Sequence, residues 1–279
     1  MLAISLRRWP LKTGTMVRRL LAMAVMGMLG LGNGLAQCVK TVRWSDDAPY
    51  AFQAADGHVA GLNSDIVRAA LKAMHCEPKF VELPWARALR ELEQGRLDIL
   101  PGALRTPERV RFAYFSRPVN QSPNMLFVAK KAASTYRIKT LADIAGTGFR
   151  LGAQIGVAYG ADYETLIKTQ GFSAQLTSVT SRRSAWKMIE LDRLDGIIAD
   201  EVTGLVELGQ MGLAHVVVKT DIIVSGEPAM FALSRASLTP AFVADFDRAL
   251  NTMMSDGRYK KIRERYVPCP ASVIKLGCR

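Results

Sequence analysis

Residues 87–100 read RALRELEQGRLDIL, and residues 184–198 read SAWKMIELDRLDGII. Each is an amphipathic helical pattern that closes on Arg-Leu-Asp and runs directly into an apolar stretch. A helix feeding a short buried strand is half of a βαβ unit, and here the half-unit occurs twice.

Working outward, the first copy predicts strand 39–44, helix 64–74, strand 78–83, helix 85–93 and strand 97–101. The second predicts strand 149–153, helix 159–169, strand 174–179, helix 182–191, strand 194–199 and helix 201–211. Such alternation means parallel sheet with covering helices. Two copies point to a two-lobe α/β architecture and away from a single eight-stranded barrel. Further strands at 123–130 and 228–235 bracket the second copy, so the chain crosses to a second lobe and returns. The expected division is lobe one over 37–125, lobe two over 126–227, and lobe one again over 228–279. Gly226 and Pro228 are candidate pivots at the return. Thr239-Pro240 opens a final helical stretch to Tyr266, broken at Gly257.

With 49% hydrophobic and 22% charged residues, the 279-residue chain has ordinary globular composition. Residues 16–36, MVRRLLAMAVMGMLGLGNGLA, combine Arg18 and Arg19 with an apolar run and a small-residue ending. They read as a secretory signal peptide cleaved near Ala36, with Met1 or Met16 as the start. The run falls short of the ~20 residues of a membrane span. Residues 1–36 hold five basic and no acidic side chains, leaving 32 basic against 25 acidic residues, or +7. The basic residues are dispersed among acidic ones, which argues against nucleic acid as a partner.

Cys38, Cys76, Cys269 and Cys278 all follow that segment. In an oxidising compartment they predict two disulfides. Cys38 and Cys76 precede strands that a right-handed βαβ unit sets side by side, which pairs them. Cys269 and Cys278 would then close a loop in the tail. With no CxxC and only three histidines, a metal site is not expected, nor is a cofactor.

The stretch PGALRTPERVRFAYFSRP, residues 101–118, places four arginines beyond the carboxyl end of strand 97–101. Ligands of open α/β sheets bind at such ends. Thr106-Pro107-Glu108-Arg109 is a helix start, with a cap and a proline at the first position. An arginine held there, with its planar fork, suits bidentate capture of a carboxylate. Pairing of Arg109 with Glu108 or a neighbouring helix is the alternative.

Several motifs recur in order along the chain: APYAF at 48–52, DGHVAGLNSD at 56–65, Pro84-Trp85, GRLD at 95–98, RTPER at 105–109, FSRP at 115–118, DGIIAD at 195–200 and DGRYKKI at 256–262. In this the chain resembles the periplasmic solute-binding proteins of the amino-acid-binding family, which serve ABC importers. The resemblance implies a type II periplasmic-binding-protein fold, two parallel-rich sheets joined by two crossing strands. It implies a periplasmic monomer that is not an enzyme, holds a carboxylate-bearing small molecule between its lobes, and meets an ABC permease. Arg109 matches the arginine that grips the ligand's α-carboxylate. Asp200 matches the acid that receives the α-ammonium, and it could also cap the following helix. Trp85 matches the side chain that packs on the ligand, with a core position on helix 85–93 as the alternative.

Gly102, Arg105, Asp47, Gln154 and Val157 complete the expected ligand-binding set. Departures fall among these positions. Leu104 stands where the family usually has a hydroxyl, and residues 154–158, QIGVA, replace a loop whose threonine supports the carboxylate. Asp47 replaces an aromatic residue, and Arg105 an apolar one. A buried Asp47 needs a cationic partner, so either a cationic ligand or Arg105 would serve. Thr180-Ser181-Arg182-Arg183 either touches the ligand or only caps a helix. Two rival readings remain. One is a cyclic-acid dehydratase on the same scaffold, using Asp47, Asp200 or Glu201 as an acid. The other is a periplasmic sensor feeding a receptor.

Overall fold

Both Arg-Leu-Asp segments build the same corner. In a computed structural model, which describes residues 37–267, Leu97 and Leu194 are buried, and the aspartate that follows each clamps a neighbouring strand. The Asp98 carboxylate accepts the backbone N–H of Thr41 at 2.7 Å and its hydroxyl at 2.9 Å. The Asp195 carboxylate accepts the backbone N–H of Arg150 at 2.7 Å and the Arg150 guanidinium at 2.7 and 2.9 Å. Each motif therefore leads into one strand and anchors the parallel strand beside it, Cys38–Trp44 at its middle and Leu151–Gln154 at its start.

The first half of the chain runs β1 (Cys38–Trp44), β2 (Phe52–Gln53), β3 (Val59–Ala60), α1 (Leu62–Ala73), β4 (Cys76–Glu82), α2 (Trp85–Glu93), β5 (Ile99–Ala103), α3 (Pro107–Val110) and β6 (Ala113–Phe115). It continues through β7 (Asn124–Ala129), α4 (Lys130–Thr135), a 3-10 turn (Leu141–Ile144), β8 (Leu151–Gln154), α5 (Ala161–Leu166), α6 (Gln170–Ser173), β9 (Leu176–Val179), α7 (Arg182–Glu190), β10 (Gly196–Asp200), α8 (Glu201–Gln210) and β11 (Val217–Ser225). It ends with β12 (Met230–Ser234), α9 (Pro240–Ser255) and α10 (Arg258–Tyr266).

Two five-stranded sheets result, in the orders β4-β1-β5-β12-β6 and β11-β7-β10-β8-β9. In each, four strands run in one direction and a single strand, β12 or β7, is inserted antiparallel between an edge strand and three adjacent parallel strands. Helices cover both faces. On the first sheet Ile66, Val67 and Leu71 of α1 pack with Phe246, Leu250 and Met253 of α9, while Ala88 and Leu92 of α2 fill the opposite side. On the second, Trp186 and Ile189 of α7 pack with Phe127 and Leu208, and Phe149, Tyr163 and Phe172 lie on the other face.

The strands that stand outside both repeats in sequence are each inserted antiparallel into one sheet: β7 beside β10, and β12 beside β5. The crossing itself is made by residues 116–123 and 226–229. These two segments are stitched together where Ala229 donates to the Asn120 carbonyl at 2.7 Å and Val119 donates to that of Ala229 at 3.0 Å. Cys38 and Cys76 face each other at the start of β1 and β4, with Cα atoms 4.5 Å apart, and form a disulfide. The predicted Cys269–Cys278 pair and the signal segment lie outside the described residues.

Two local expectations change. Helix 159–169 shortens to α5, with the separate α6 following it, because Gly160 sits at φ +95° and Thr169 is extended, neither of which a helix interior accepts. Strand β11 was absent from the pattern because Lys219, Thr220 and Asp221 interrupt its apolar run; it is an edge strand with irregular register against β7.

The Asp195 clamp predicts a stability effect. Burial opposes ionisation of this carboxyl, but the Arg150 hydrogen bonds win and hold it below the usual range. Asp195→Asn should destabilise the protein by about 2 kcal/mol in urea unfolding at pH 7, the scale of hydrogen bonds to charged groups. A depressed folded pKa stabilises above the unfolded value of about 3.9 and loses that contribution as pH falls through the folded one. The gap between parent and variant should therefore narrow below about pH 4.

Candidate ligand-binding cleft

The carboxyl ends of the parallel strands in both sheets open onto one cavity of about 560 Å³. That is where ligands sit in open α/β sheets, and the volume suits a small solute. Seven of the eight expected binding residues line it: Asp47, Trp85, Gly102, Arg109, Gln154, Val157 and Asp200. Arg105 does not; its side chain is exposed to solvent.

Thr106 caps α3 by accepting the backbone N–H of Arg109 at 3.2 Å, with Pro107 at the first helical position. This fixes the Arg109 backbone and sends its side chain inward, where it is 6% exposed. Its Nη1 donates to the Leu104 carbonyl at 2.9 Å and its Nη2 to the Gly156 carbonyl of the second lobe at 2.8 Å. A guanidinium has five N–H groups, so donors remain for a ligand. Trp85 Nε1 also donates to the Gly156 carbonyl, at 2.9 Å. One carbonyl thus gathers two side chains from the facing lobe. The Trp85 ring stacks with Arg109 at 5.7 Å and with Arg43 at 5.4 Å. Trp85 lines the cleft and, half-buried, also packs against the core cluster that holds Ala88 and Leu92 of α2, so both readings of it are met.

Asp200 ends β10. It caps α8 by accepting the Thr203 backbone N–H at 2.9 Å, and its second oxygen faces the Tyr50 hydroxyl of the first lobe at 3.4 Å. Burial pushes the Asp200 carboxyl above the usual range, with Asp47 adding to the effect. Capping and cleft lining are therefore met by one side chain.

The partner of Asp47 is neither Arg105 nor an open position. Arg182, the first residue of α7, reaches across the cleft to Asp47 and also lies 3.3 Å from Glu207 on α8. Burial works against the Arg182 charge, but Asp47 and Glu207 hold it well above its ordinary value. Glu207 further accepts from Trp186 Nε1 at 2.6 Å. Next to it, Arg183 lies 3.4 Å from Asp46, giving a second interlobe pair. Ser181 caps α7 by accepting the Ser184 N–H at 3.2 Å, so the 180–183 segment both caps a helix and lines the cleft.

The sequence pattern of bacterial extracellular solute-binding proteins, family 3, matches residues 41–268. The chain belongs to that family. Among this family member's relatives is an L-arginine-binding protein of Pseudomonas aeruginosa, 27% identical over 226 residues, covering 78% of this chain and 83% of the relative. Among solved structures, a histidine kinase sensor domain similar to periplasmic binding proteins superposes with a TM-score of 0.72 at 20% identity, covering 84% of this chain and 96% of the other. An ancestral arginine-binding protein bound to arginine gives 0.70 at 22% identity, covering 83% and 98%. These likenesses show the two-lobe type II fold.

Among the cleft residues that escaped the sequence reading are Arg43, Tyr50, Asp46, Glu207, Arg182 as the partner of Asp47, and Asn63, whose buried Oδ1 has no hydrogen-bond partner among the described residues. Arg43 carried no signal because a charged residue inside a strand reads as solvent-facing. Asp47 and Arg182 are 135 positions apart, so no local spacing could link them.

Proposed function

We propose that the protein captures a small amino-acid-like solute bearing a carboxylate, and presents it to an ABC permease from the periplasm without chemical turnover. The observation that carries this reading is that Arg109 and Asp200 come from opposite lobes into one cavity. An arginine with spare donors suits a carboxylate, and a buried carboxylate suits an ammonium group. The family and the Cys38–Cys76 disulfide support an extracytoplasmic site of action. No helix among the described residues is long and apolar enough to cross a membrane.

Binding proceeds by closure about residues 116–123 and 226–229. Ligand meets Arg109 on the first lobe, and the second lobe brings up Asp200 and the 154–158 loop. Closure completes the contacts of Trp85 and Arg109 with Gly156 and of Arg182 with Asp47.

A melting-temperature screen against the common amino acids tests the proposal. A ligand at ~100 times its dissociation constant adds about 2.7 kcal/mol. No shift across the panel would count against amino-acid capture, and mass-spectrometric loss of a bound compound would replace capture with catalysis. The raised Asp200 carboxyl adds a pH signature. An ammonium ligand prefers the ionised form, so affinity should hold at neutral pH and fall as pH drops through the raised value. Asp200→Asn should bind more weakly and lose that dependence in calorimetric titrations. An unchanged acid limb would exclude Asp200 as the ammonium site.

A further inference from the structure

Four arginines line the cleft, and two of them are already matched by carboxylates: Arg182 by Asp47 and Glu207, and Arg183 by Asp46. Arg43 and Arg109 are not. They are 8% and 6% exposed, and neither has a carboxylate within ion-pair distance among the described residues. Arg43, on β1, donates Nε to the Leu83 carbonyl at 3.0 Å and Nη2 to the Ser45 hydroxyl at 2.5 Å. Its Nη1 has no hydrogen-bond partner among the described residues. Burial lowers both guanidinium groups, Arg43 to about 10 despite the opposing pull of Asp47 and Glu82.

A buried cation without a counter-ion is costly, and two of them beside the same tryptophan ring are more so. Among the acids lining the cavity, Asp46, Asp47 and Glu207 are engaged with Arg182 and Arg183. Glu82 and Glu227 are exposed. Asp200, half-buried at the end of β10, is the remaining acid, and among the described residues it faces no arginine at ion-pair distance. The charges left for a ligand to answer are therefore two guanidinium groups and one carboxylate.

We propose that the ligand is an α-amino acid whose side chain ends in an anionic group, with Arg43 holding that group while Arg109 and Asp200 hold the α-carboxylate and ammonium. This rests on the capture reading given above and adds the identity of the side chain. It also removes the need for a cationic ligand, because Asp47 is answered by Arg182 within the protein.

Calorimetric titration of glutamate, aspartate, glutamine and arginine into the parent and into Arg43→Gln tests it. Glutamate or aspartate should bind the parent at least about tenfold more tightly than glutamine or arginine. Arg43→Gln should erase that preference, weakening the acidic ligand about tenfold or more and changing glutamine by less than about threefold. Equal weakening of both ligands would reduce Arg43 to a support for Trp85 and overturn the inference. Should Arg43→Gln fail to fold, the parent's preference for an acidic side chain decides alone, with Arg43→Lys as the milder variant. Tighter binding of arginine or a neutral amino acid would overturn the inference and leave amino-acid capture standing. If none of the amino acids binds, both fall.

Discussion

In Arg109→Ala, ligand affinity is expected to fall by about a hundredfold or more, while the unliganded protein melts within a few degrees of the parent. The asymmetry follows from the contacts. Without ligand, Arg109 is a buried cation bonded only to two carbonyls, Leu104 and Gly156, and burial weakens its hold on its proton. Removing it relieves a desolvated charge, and the Gly156 carbonyl keeps its bond from Trp85. With ligand, the same deletion leaves a carboxylate enclosed without its cation, which costs roughly 2–5 kcal/mol. Parental affinity in a titration of the folded variant would show that the carboxylate is held elsewhere.

Arg182→Met should have the largest effect on stability. Glu207 is 3% exposed and Asp47 is partly buried, and Arg182 is the cation they share. Deleting one side of a buried ion pair costs about 3–5 kcal/mol, because the remaining charge stays out of water. The deficit should appear as a lower urea midpoint at neutral pH. The double variant Arg182→Met with Glu207→Gln should recover a large part of it, since a neutral amide can still accept from Trp186 Nε1. If the single variant unfolds at the parent's midpoint, the network is ornamental to the fold. Because Arg182 also joins the two lobes, the single variant should favour the open form.

The sequence carried the architecture further than it carried the chemistry. The two Arg-Leu-Asp corners were readable because a helix, a turn and a buried strand imprint local periods of 3.6 and 2. The same locality exposed the α3 start at Thr106-Pro107 and the α9 start at Thr239-Pro240, both of which cap as expected. The Cys38–Cys76 pairing followed from the parallel order of β1 and β4. What stayed hidden depends on contacts between distant segments. Nothing near Asp47 announces Arg182, and nothing on β1 says that Arg43 turns inward to the Leu83 carbonyl. Glycine conformations were equally silent: Gly160 reads as part of a helix, but its positive φ keeps the helix from starting before Ala161.

Those hidden contacts alter the expected ligand. From sequence, Asp47 was an added negative charge open to a cationic ligand. In the structure it is one corner of a network with Arg182 and Glu207, and Arg43 and Arg109 are the groups left unanswered.

The most direct test of capture in the interlobe cleft is native mass spectrometry of the gently purified protein, repeated after unfolding and refolding. Capture predicts a non-covalent adduct of amino-acid mass in the first sample, absent from the second and restored by adding the released compound. A retained molecule without a carboxylate, or no adduct together with no melting shift from any amino acid, would contradict it.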